Sequence, residues 1–301
     1  MNRAIGAVAI GRNEGERLRL CLQSLSGKVR QIVYVDSGSV DESVDLAHSL
    51  GADVVELDLS EPFTAARARN AGLMRLIEAA PDLEFVQFVD GDCELHESWL
   101  PTAAAFLQAN EGVAVTCGRR RERHPEASPF NRLCDIEWDT PIGEADSCGG
   151  DALIRVTPLR SVGGYSEELI AGEEPDLCFR LRQRGWKVVR LDAEMTLHDA
   201  SMHRVSQWWK RAKRSGYADM EASQRRGEFD PRLRRRVISN LFWALPLSWP
   251  LWPILWLRLR RQKGGVYASH IVLGKLPHLV GQVAFLKRRM RGRRPELIEY
   301  K

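Results

Sequence analysis

The sequence predicts an α/β protein with a mostly parallel sheet flanked by helices, followed by a helical extension that associates with a membrane. Short apolar runs alternate with segments of helical period, and acidic residues follow several of those runs. The charge is also unevenly divided, because residues 204–301 carry 23 Lys and Arg against 6 Asp and Glu, a net +17, whereas the preceding 203 residues have a net charge of −13. This asymmetry indicates two parts with different partners, which we place at residues 1–225 and 226–301.

The elements follow one another in a regular order from the N-terminus. AIGAVAIG (4–11) is suited to a strand buried on both faces, and ERLRLCLQSLS (16–26) places leucines on one helical face. The alternation continues with strands at 31–36, 53–57, 84–89 and 113–118 and helices at 41–51, 64–80 and about 98–110. After an irregular polar stretch at 119–150 come a strand-like segment at 147–156, a helix at 173–186 and a strand at 187–191. Strand–helix–strand alternation predicts a parallel sheet with crossover helices.

Three aspartates stand where predicted strands end. Asp36 closes the second strand, and Asp90 and Asp92 flank Gly91 after the strand FVQFV. Ligands of open α/β sheets bind beyond the carboxyl ends of the strands. Taken alone, the Asp-Gly-Asp triplet also fits a helix cap with a solvated neighbour. Its position favours a site where carboxylates hold Mg²⁺ or Mn²⁺ together with a diphosphate, since the cation removes their mutual repulsion.

Six motifs in order resemble the family-2 glycosyltransferases of the GT-A (nucleotide-diphospho-sugar transferase) fold. The resemblance covers roughly residues 5–220 and rests on the segments AIGRNEGERL, VYVDSGSVDES, ARARNAG, FVDGDCEL, SCGGDALIRV and AGEEPDLCFRLRQRGW. It implies inverting transfer of a sugar from a nucleotide-diphosphate donor to an acceptor hydroxyl. Three positions depart from the family pattern, with Ser37 replacing an Asp, Asp151 standing where Asn is common and Glu174 standing where Asp is usual.

The resemblance implies a nucleotide site at the first, second and fourth strands. Asp36 is expected to accept a hydrogen bond from the nucleobase imide, and Arg69 to help hold the nucleotide. Asn13 and Glu14 are expected to border the pocket, and Asp90 to bind ribose or metal-bound water.

The metal and catalytic residues are also implied by the resemblance. Asp92 is expected to ligate a divalent metal, Mg²⁺ or Mn²⁺, that bridges the diphosphate, and His198 is a second candidate ligand, although an ordinary histidine without a ligand role fits that position equally well. Glu174 occupies the place of the catalytic base, which is usually Asp, and Glu173 is the runner-up. A base near an alcohol typically contributes 10²–10⁴-fold to the rate.

Acceptor binding is expected at Trp138, Asp151 and Trp208. An aromatic ring beside carboxylates suits a sugar, but Trp138 also fits a loop anchor in the core. Trp208 lies in QWWKRAKRSGYA (207–218), which also fits an amphipathic helix with a solvated basic face.

The basic tail contains an uncharged run of 21 residues at 237–257, with tryptophans at 243, 249, 252 and 256 and three prolines. The prolines argue against one straight spanning helix, and basic clusters on both sides argue against a single crossing. A membrane-surface or re-entrant arrangement therefore fits better than a true span or a soluble packing or dimer surface. Nucleic acid is not expected as a partner, because a Trp- and Pro-rich apolar block suits a phosphate groove poorly.

These features predict an enzyme at the cytoplasmic face of the plasma membrane, with a lipid-linked or polysaccharide acceptor. The six cysteines form no C-x-x-C pair, which fits a reducing compartment, and residues 1–18 are typical of a first strand, not a signal peptide. Two rival functions stay open: a catalytically silent nucleotide-sugar-binding scaffold and a sugar-phosphate nucleotidyltransferase. A dehydrogenase is disfavoured because no G-x-G-x-x-G follows the first strand.

Overall fold

A computed structural model describes residues 4–291, and these residues form two compact units. The first unit contains residues up to 123, 138–169 and 173–199, and the second contains 124–137, 170–172 and the chain from residue 200 onward. The outer ends of the two predicted domains, residues 1–3 and 292–301, lie outside the described residues.

The first unit is built around a single mixed sheet. Its strands are β1 (Ile5–Gly11), β2 (Ile32–Asp36), β3 (Asp53–Glu56), β4 (Phe85–Asp90), β5 (Cys93–Leu95), β6 (Val113–Glu122), β7 (Gly143–Glu144), β8 (Ala152–Arg155) and β9 (Lys187–His198). The spatial order is β3-β2-β1-β4-β8-β6-β9-β5, and β7 pairs with β9.

The two halves of the sheet differ in strand direction. Strands β3, β2, β1 and β4 are parallel, as predicted for alternating strands and helices. Strand β8 then runs antiparallel to both β4 and β6, while β6 and β9 are parallel to each other. The sheet is therefore mixed, with its parallel half at the N-terminal end of the chain.

Helices flank this sheet and fill the crossovers. Those of the first unit are α1 (Glu16–Leu25), α2 (Ser43–Ser49), α3 (Ala65–Ala79), α4 (Trp99–Ala109), α6 (Val156–Ser161) and α7 (Glu173–Gln183). Strand β1 is almost wholly buried, from Ile5 to Ile10, as an apolar run between two helical layers should be. The segment 119–150, predicted to be irregular, also contains α5 (Pro129–Trp138), of which all but Trp138 belongs to the second unit.

The second unit is helical. Its remaining helices are α8 (Val205–Arg226), α9 (Pro231–Ala244), α10 (Trp252–Leu273) and α11 (Lys275–Met290), with a 3-10 helix at Pro246–Leu251. Helix α10 is interrupted by non-helical backbone at Lys263 and Gly264. Tyr217, Met220, Val237 and Phe285 form a small apolar core with Ile170.

The division into units differs from the boundary predicted at 225/226, because α8 groups with the C-terminal helices. Its residue Gly216 faces the backbone of His278 on α11, and Gly281 of α11 faces the backbone of Lys213. A Cβ added at either glycine would lie 2.0–2.2 Å from a carbonyl oxygen of the other helix. Two glycines facing backbone across one contact therefore fix α8 to α11.

We expect Gly281→Ala to destabilise the protein by about 1–3 kcal/mol, the usual cost of overpacking a close contact. Chemical denaturation with a helix-sensitive signal measures this. Gly265→Ala is the matched control in the same unit, since its added Cβ would come no closer than 3.7 Å to another atom. Equal stability of the two variants would contradict the close packing of α8 on α11.

Among residues 4–291, no helix is both long enough and apolar enough to cross a bilayer. The apolar run at 237–257 is divided between α9, the 3-10 helix and the start of α10.

Candidate functional site

The site forms where β1, β2 and β4 end. Asn13 has a left-handed φ of 55° and links two loops: its backbone N–H donates to the Ser39 hydroxyl (2.8 Å), and its side-chain oxygen accepts from the backbone of Val40 (2.8 Å). Glu14 is paired with Arg17 at 2.8 Å, and its stem packs over the Gly91 backbone. Asn13 and Glu14 thus hold the loops beside the strand ends, and the nucleotide pocket that they are expected to border stays a prediction.

Asp36 closes the loop that follows β2. One carboxylate oxygen accepts the backbone N–H groups of Gly38 (2.9 Å) and Ser39 (2.7 Å), and the other accepts the hydroxyl of Tyr34 at 3.0 Å. Burial, followed by the charge of Asp36, raises the pKa of Tyr34. The nucleobase contact predicted for Asp36 stays a prediction, and the structure adds a second role, that of holding the loop 37–39.

Arg69 of α3 joins Asp90 to the two candidate bases, Glu173 and Glu174. Its guanidinium is buried and donates to Asp90 at 3.0 Å and to Glu173 at 2.9 Å, and it lies 3.0 Å from a carboxylate oxygen of Glu174. Its charged end also faces the ring of Tyr165.

The backbone comes unusually close to this ion pair at Gly150. A Cβ there would lie 2.7 Å from the Arg69 guanidinium and 2.8 Å from the Asp90 carboxylate. Gly150, the second glycine of SCGGDALIRV, is therefore required because any side chain would clash with this ion pair, and not because its backbone needs a positive φ.

Arg120, at the far end of β6, continues the network. Its guanidinium contacts Asp90 at 2.7 Å and Asp151 at 3.0 Å, and it lies 5.1 Å from the ring of Trp138. Burial raises the pKa of Asp90, but Arg120 and Arg69 outweigh burial and hold that pKa well below its usual range. Glu174, Arg69, Asp90, Arg120 and Asp151 thus form one chain of contacts, which we call the ion-pair chain.

Asp151 lies inside this chain, with no exposed surface. One oxygen accepts the Asp90 backbone N–H at 3.0 Å and the other accepts the hydroxyl of Thr196 at 2.7 Å. Its burial indicates that Asp151 supports Asp90 and Arg120 from within the protein. The acceptor contact predicted for Asp151 stays a prediction, and the position of the side chain does not support it.

The second part of the site is a buried pair at the ends of β4 and β9. A carboxylate oxygen of Asp92 and Nε2 of His198 lie 3.3 Å apart, and Nδ1 of His198 lies 3.6 Å from Glu122. Strand register explains the arrangement, because His198 is paired with Cys93 on one side and with Glu122 on the other. Trp138 contacts the histidine ring edge-on at a centroid distance of 4.6 Å.

The chemistry of these groups fits a divalent cation. Ligand atoms of Asp92, Cys93 and His198 lie within 4.8 Å of one another. Burial, followed by the charge of Arg120, lowers the pKa of His198, so its imidazole is neutral, the form that ligates metals. Burial raises the pKa of Cys93, so a thiol and not a thiolate stands there, and oxygen and nitrogen are the suitable ligands. A carboxylate behind a metal-binding histidine, as Glu122 is here, is also a common arrangement.

Glu173 and Glu174 occupy the first turn of α7, where the helix dipole favours negative charge. Burial and the neighbouring Glu173 raise the pKa of Glu174 from 4.5 to about 7, against the opposing effect of Arg69. Glu173 is nearly fully buried, whereas 15% of the Glu174 side chain is exposed. Glu174 therefore has both the access and the pKa of a general base near neutrality.

Trp208 lies in the second unit and is nearly buried. Its indole N–H donates to His270 at 2.7 Å, and its ring stacks on Phe130. The acceptor role predicted for Trp208 stays a prediction, and these contacts show it as an anchor between α8 and α10.

Arg120 and Glu122 are the functional candidates that the sequence did not reveal. Both lie in RRRERH (119–124), a run that reads as a solvated basic segment.

We expect Arg120→Gln to cost about 3–5 kcal/mol of stability, since it leaves the buried carboxylate of Asp151 and the partly exposed carboxylate of Asp90 without their shared partner. Thermal and chemical denaturation measure this loss. Arg121→Gln is the adjacent control: its ion pair with Glu194 is about half exposed and should contribute no more than about 1 kcal/mol. A smaller loss for Arg120→Gln than for Arg121→Gln would refute the ion-pair chain.

Comparison with known proteins identifies the class of the fold and finds a family profile that matches part of the chain. A solved structure of "Mannosyltransferase PcManGT from Pyrobaculum calidifontis in complex with GDP-Man and Mn2+" superposes with a TM-score of 0.67 at 17% identity, covering 95% of this chain and 88% of that one. The chain therefore has the GT-A fold. Residues 9–147 match the profile of "Glycosyl transferase family 2".

Two curated relatives extend the similarity beyond this segment. The "Pre-mycofactocin glycosyltransferase" of Mycobacterium tuberculosis (strain CDC 1551 / Oshkosh) is 26% identical over 211 residues, which is 66% of this chain and 43% of that protein. The "Succinoglycan biosynthesis protein ExoA" of Rhizobium meliloti (strain 1021) is 25% identical over 244 residues, 77% of this chain and 69% of that protein. The chain thus spans less than half the length of the first of these relatives.

Proposed function

We propose that this protein transfers a sugar from a nucleoside-diphosphate donor to a hydroxyl group, with inversion at the anomeric carbon. The observation that carries the proposal is that Asp92 and His198, a pair suited to a cation, and Glu174, a carboxyl group of raised pKa, all belong to the one sheet-containing unit. The ion-pair chain connects Glu174 to Asp90, two residues before Asp92.

The grouping of carboxyl groups in the site supports a divalent cation and a diphosphate. Asp90, Asp151, Glu173 and Glu174 contact the guanidinium groups of Arg69 and Arg120, and Asp92 and Glu122 contact His198. Carboxylates grouped in this way favour a bound cation. Asp92 and His198 are the residues that would hold Mg²⁺ or Mn²⁺, which as a Lewis acid stabilises the charge that develops on the departing diphosphate.

The protein's own groups perform the remaining steps. Glu174 takes the proton of the acceptor hydroxyl while the acceptor oxygen bonds to the anomeric carbon. The bond between that carbon and the diphosphate oxygen breaks, and its electrons leave with the nucleoside diphosphate. Arg69 positions both Glu174 and Asp90, so the base and the donor side of the site are held by one side chain. Attack opposite the leaving group inverts the anomeric centre.

The acceptor proposed is a lipid-linked or polysaccharide precursor. Trp138 supports a sugar-binding surface, because its ring lies beside both His198 and Arg120. The names of relatives are in keeping with this acceptor class, since they include a succinoglycan biosynthesis protein and an "O-antigen chain rhamnosyltransferase WbaN" of Salmonella anatum.

The test is release of nucleoside diphosphate from a panel of nucleotide sugars that includes GDP-mannose and UDP-glucose, with Mn²⁺, with Mg²⁺ and with EDTA. We expect metal-dependent release from one donor and faster release with an acceptor glycan. Tight nucleotide binding with no turnover of any donor would support a silent scaffold instead. Formation of a nucleotide sugar from a sugar phosphate and a nucleoside triphosphate would identify a nucleotidyltransferase.

A further inference from the structure

Helix α9 carries apolar residues on two opposite sides. It buries Val237 and Ala244 against the rest of the second unit, together with Asn240, which donates to Gln282 at 3.1 Å. The outward residues are also apolar and spaced as a helical stripe, namely Ile238, Leu241, Phe242 and Leu245, each 36–64% exposed. The half of α9 that follows its arginines therefore carries apolar residues on both sides, which suits a segment packed in a protein core on one side and against lipid on the other.

The stripe continues over the next two elements. Leu247 is 91% exposed, and Ile254 and Leu257 of α10 are 66% and 54% exposed. Indole N–H groups hold these elements against the end of α9, with Trp249 donating to the carbonyl of Ala244 (3.3 Å) and Trp252 to that of Trp243 (3.0 Å). The exposed apolar residues of 238–257 therefore lie on three consecutive elements that these hydrogen bonds hold together, and we call this set of residues the apolar tip.

Basic residues flank the apolar tip on both sides in the chain. Four exposed arginines precede it and three arginines and a lysine follow it: Arg232, Arg234, Arg235, Arg236, Arg258, Arg260, Arg261 and Lys263. The chain from 231 to 295 contains no Asp or Glu. An acidic protein surface or an anionic lipid surface complements this charge, but the lipid surface also takes up exposed apolar residues that are accompanied by tryptophans.

We propose that the apolar tip inserts into the headgroup region of an anionic phospholipid bilayer, lying in its surface, while the flanking basic residues contact lipid phosphates. Amphipathic segments of this kind penetrate about 5–10 Å, and each basic residue near an anionic surface strengthens binding. An anionic leaflet such as the cytoplasmic face of a plasma membrane would then be where the protein works. The inference concerns binding alone and is independent of the sugar-transfer reaction.

The test is cosedimentation of the full chain with vesicles of phosphatidylcholine alone or mixed with phosphatidylglycerol. We expect binding to the mixed vesicles, weakened by salt, and at least tenfold weaker binding to the neutral ones. The double variant Leu247→Glu with Ile254→Glu should bind the mixed vesicles at least tenfold more weakly. Its matched control, Val40→Glu with Val205→Glu, changes residues that are equally exposed (90% and 65%) but lie outside the apolar tip, and it should bind as the unmodified protein does.

A second pair of variants tests the charge contribution. Arg234→Gln with Arg235→Gln should weaken binding to the mixed vesicles about fivefold for each charge removed. Arg75→Gln with Arg121→Gln removes two half-exposed arginines of the first unit and should leave binding unchanged.

Binding to neither kind of vesicle would overturn the proposal. Equal losses of binding in the tip variants and in the control variants would also overturn it. A further contrary result would be a protein that binds no vesicles and instead forms a concentration-dependent dimer, which Leu247→Glu dissociates. Salt-sensitive binding to nucleic acid in place of vesicles would likewise assign the basic residues to another partner. Unchanged melting temperatures for all variants, all at exposed positions, show that the comparison is between folded proteins.

Discussion

Asp92→Asn is expected to lower sugar transfer by about 10³-fold, because a cation that stabilises the leaving diphosphate contributes several kcal/mol to the transition state. The substitution keeps the size of the side chain, so the protein should stay folded while it loses an anionic ligand. Initial rates at saturating Mn²⁺ measure the effect. Asp45→Asn, at an exposed position of α2, is the control and should retain full activity.

The variant Glu122→Gln separates the role of a metal ligand from that of a residue that orients a ligand. Glu122 would orient His198 and not touch the cation, so we expect its loss to weaken metal affinity by about 10–100-fold and to be overcome by more Mn²⁺. If Asp92→Asn retained more activity than Glu122→Gln at every Mn²⁺ concentration, the roles assigned to the two carboxyl groups would be wrong.

Glu174→Gln is expected to lower kcat by about 10²–10⁴-fold, the usual contribution of a general base. Because the pKa of Glu174 is about 7, the unmodified enzyme should lose activity tenfold for each pH unit below that value, as the carboxylate takes up a proton. The Glu174→Gln variant should not show this fall in activity at low pH, which is the acidic limb of the pH profile. Glu173→Gln is the matched control; it should keep the limb, and a larger rate loss than in Glu174→Gln would make Glu173 the base.

The raised pKa that suits Glu174 to act as a base also means that its ionised form lowers the stability of the folded protein. Its folded-state pKa is raised from 4.5 to about 7, so the native state prefers the proton, and stability is lost as the pH rises from about 4.5 through 7. We therefore expect Glu174→Gln to stabilise the metal-free protein by up to about 3 kcal/mol at pH 8 and to have little effect at pH 4. Denaturant titrations at the two pH values measure this difference. A residue that lowers stability and raises activity is typical of an active site.

The sequence predicted the parallel half of the fold more accurately than the mixed half. Apolar runs and helical periods located β1 to β4 and the helices between them to within a few residues. The reversal of β8 was not predictable, because a short strand after an irregular segment has no local signal for its direction. The place of α8 also depends on tertiary packing, through the contact of Gly216 and Gly281 with backbone.

The sequence likewise predicted only part of the site. Motif resemblance selected Arg69, Asp90 and Glu174, and the structure places these three side chains in contact through one guanidinium. It did not select Arg120, because β6 has register shifts on both sides of Arg119 and the inward–outward alternation fails there. Three consecutive arginines therefore gave no indication of which one reaches Asp90 and Asp151.

Anomalous diffraction from crystals grown with Mn²⁺ and either UDP or GDP tests the central claim most directly. We predict one manganese peak about 2–2.3 Å from both a carboxylate oxygen of Asp92 and Nε2 of His198, with the diphosphate completing its coordination and Glu174 facing the same space. A bound diphosphate whose manganese is held by residues other than Asp92 and His198 would contradict the account.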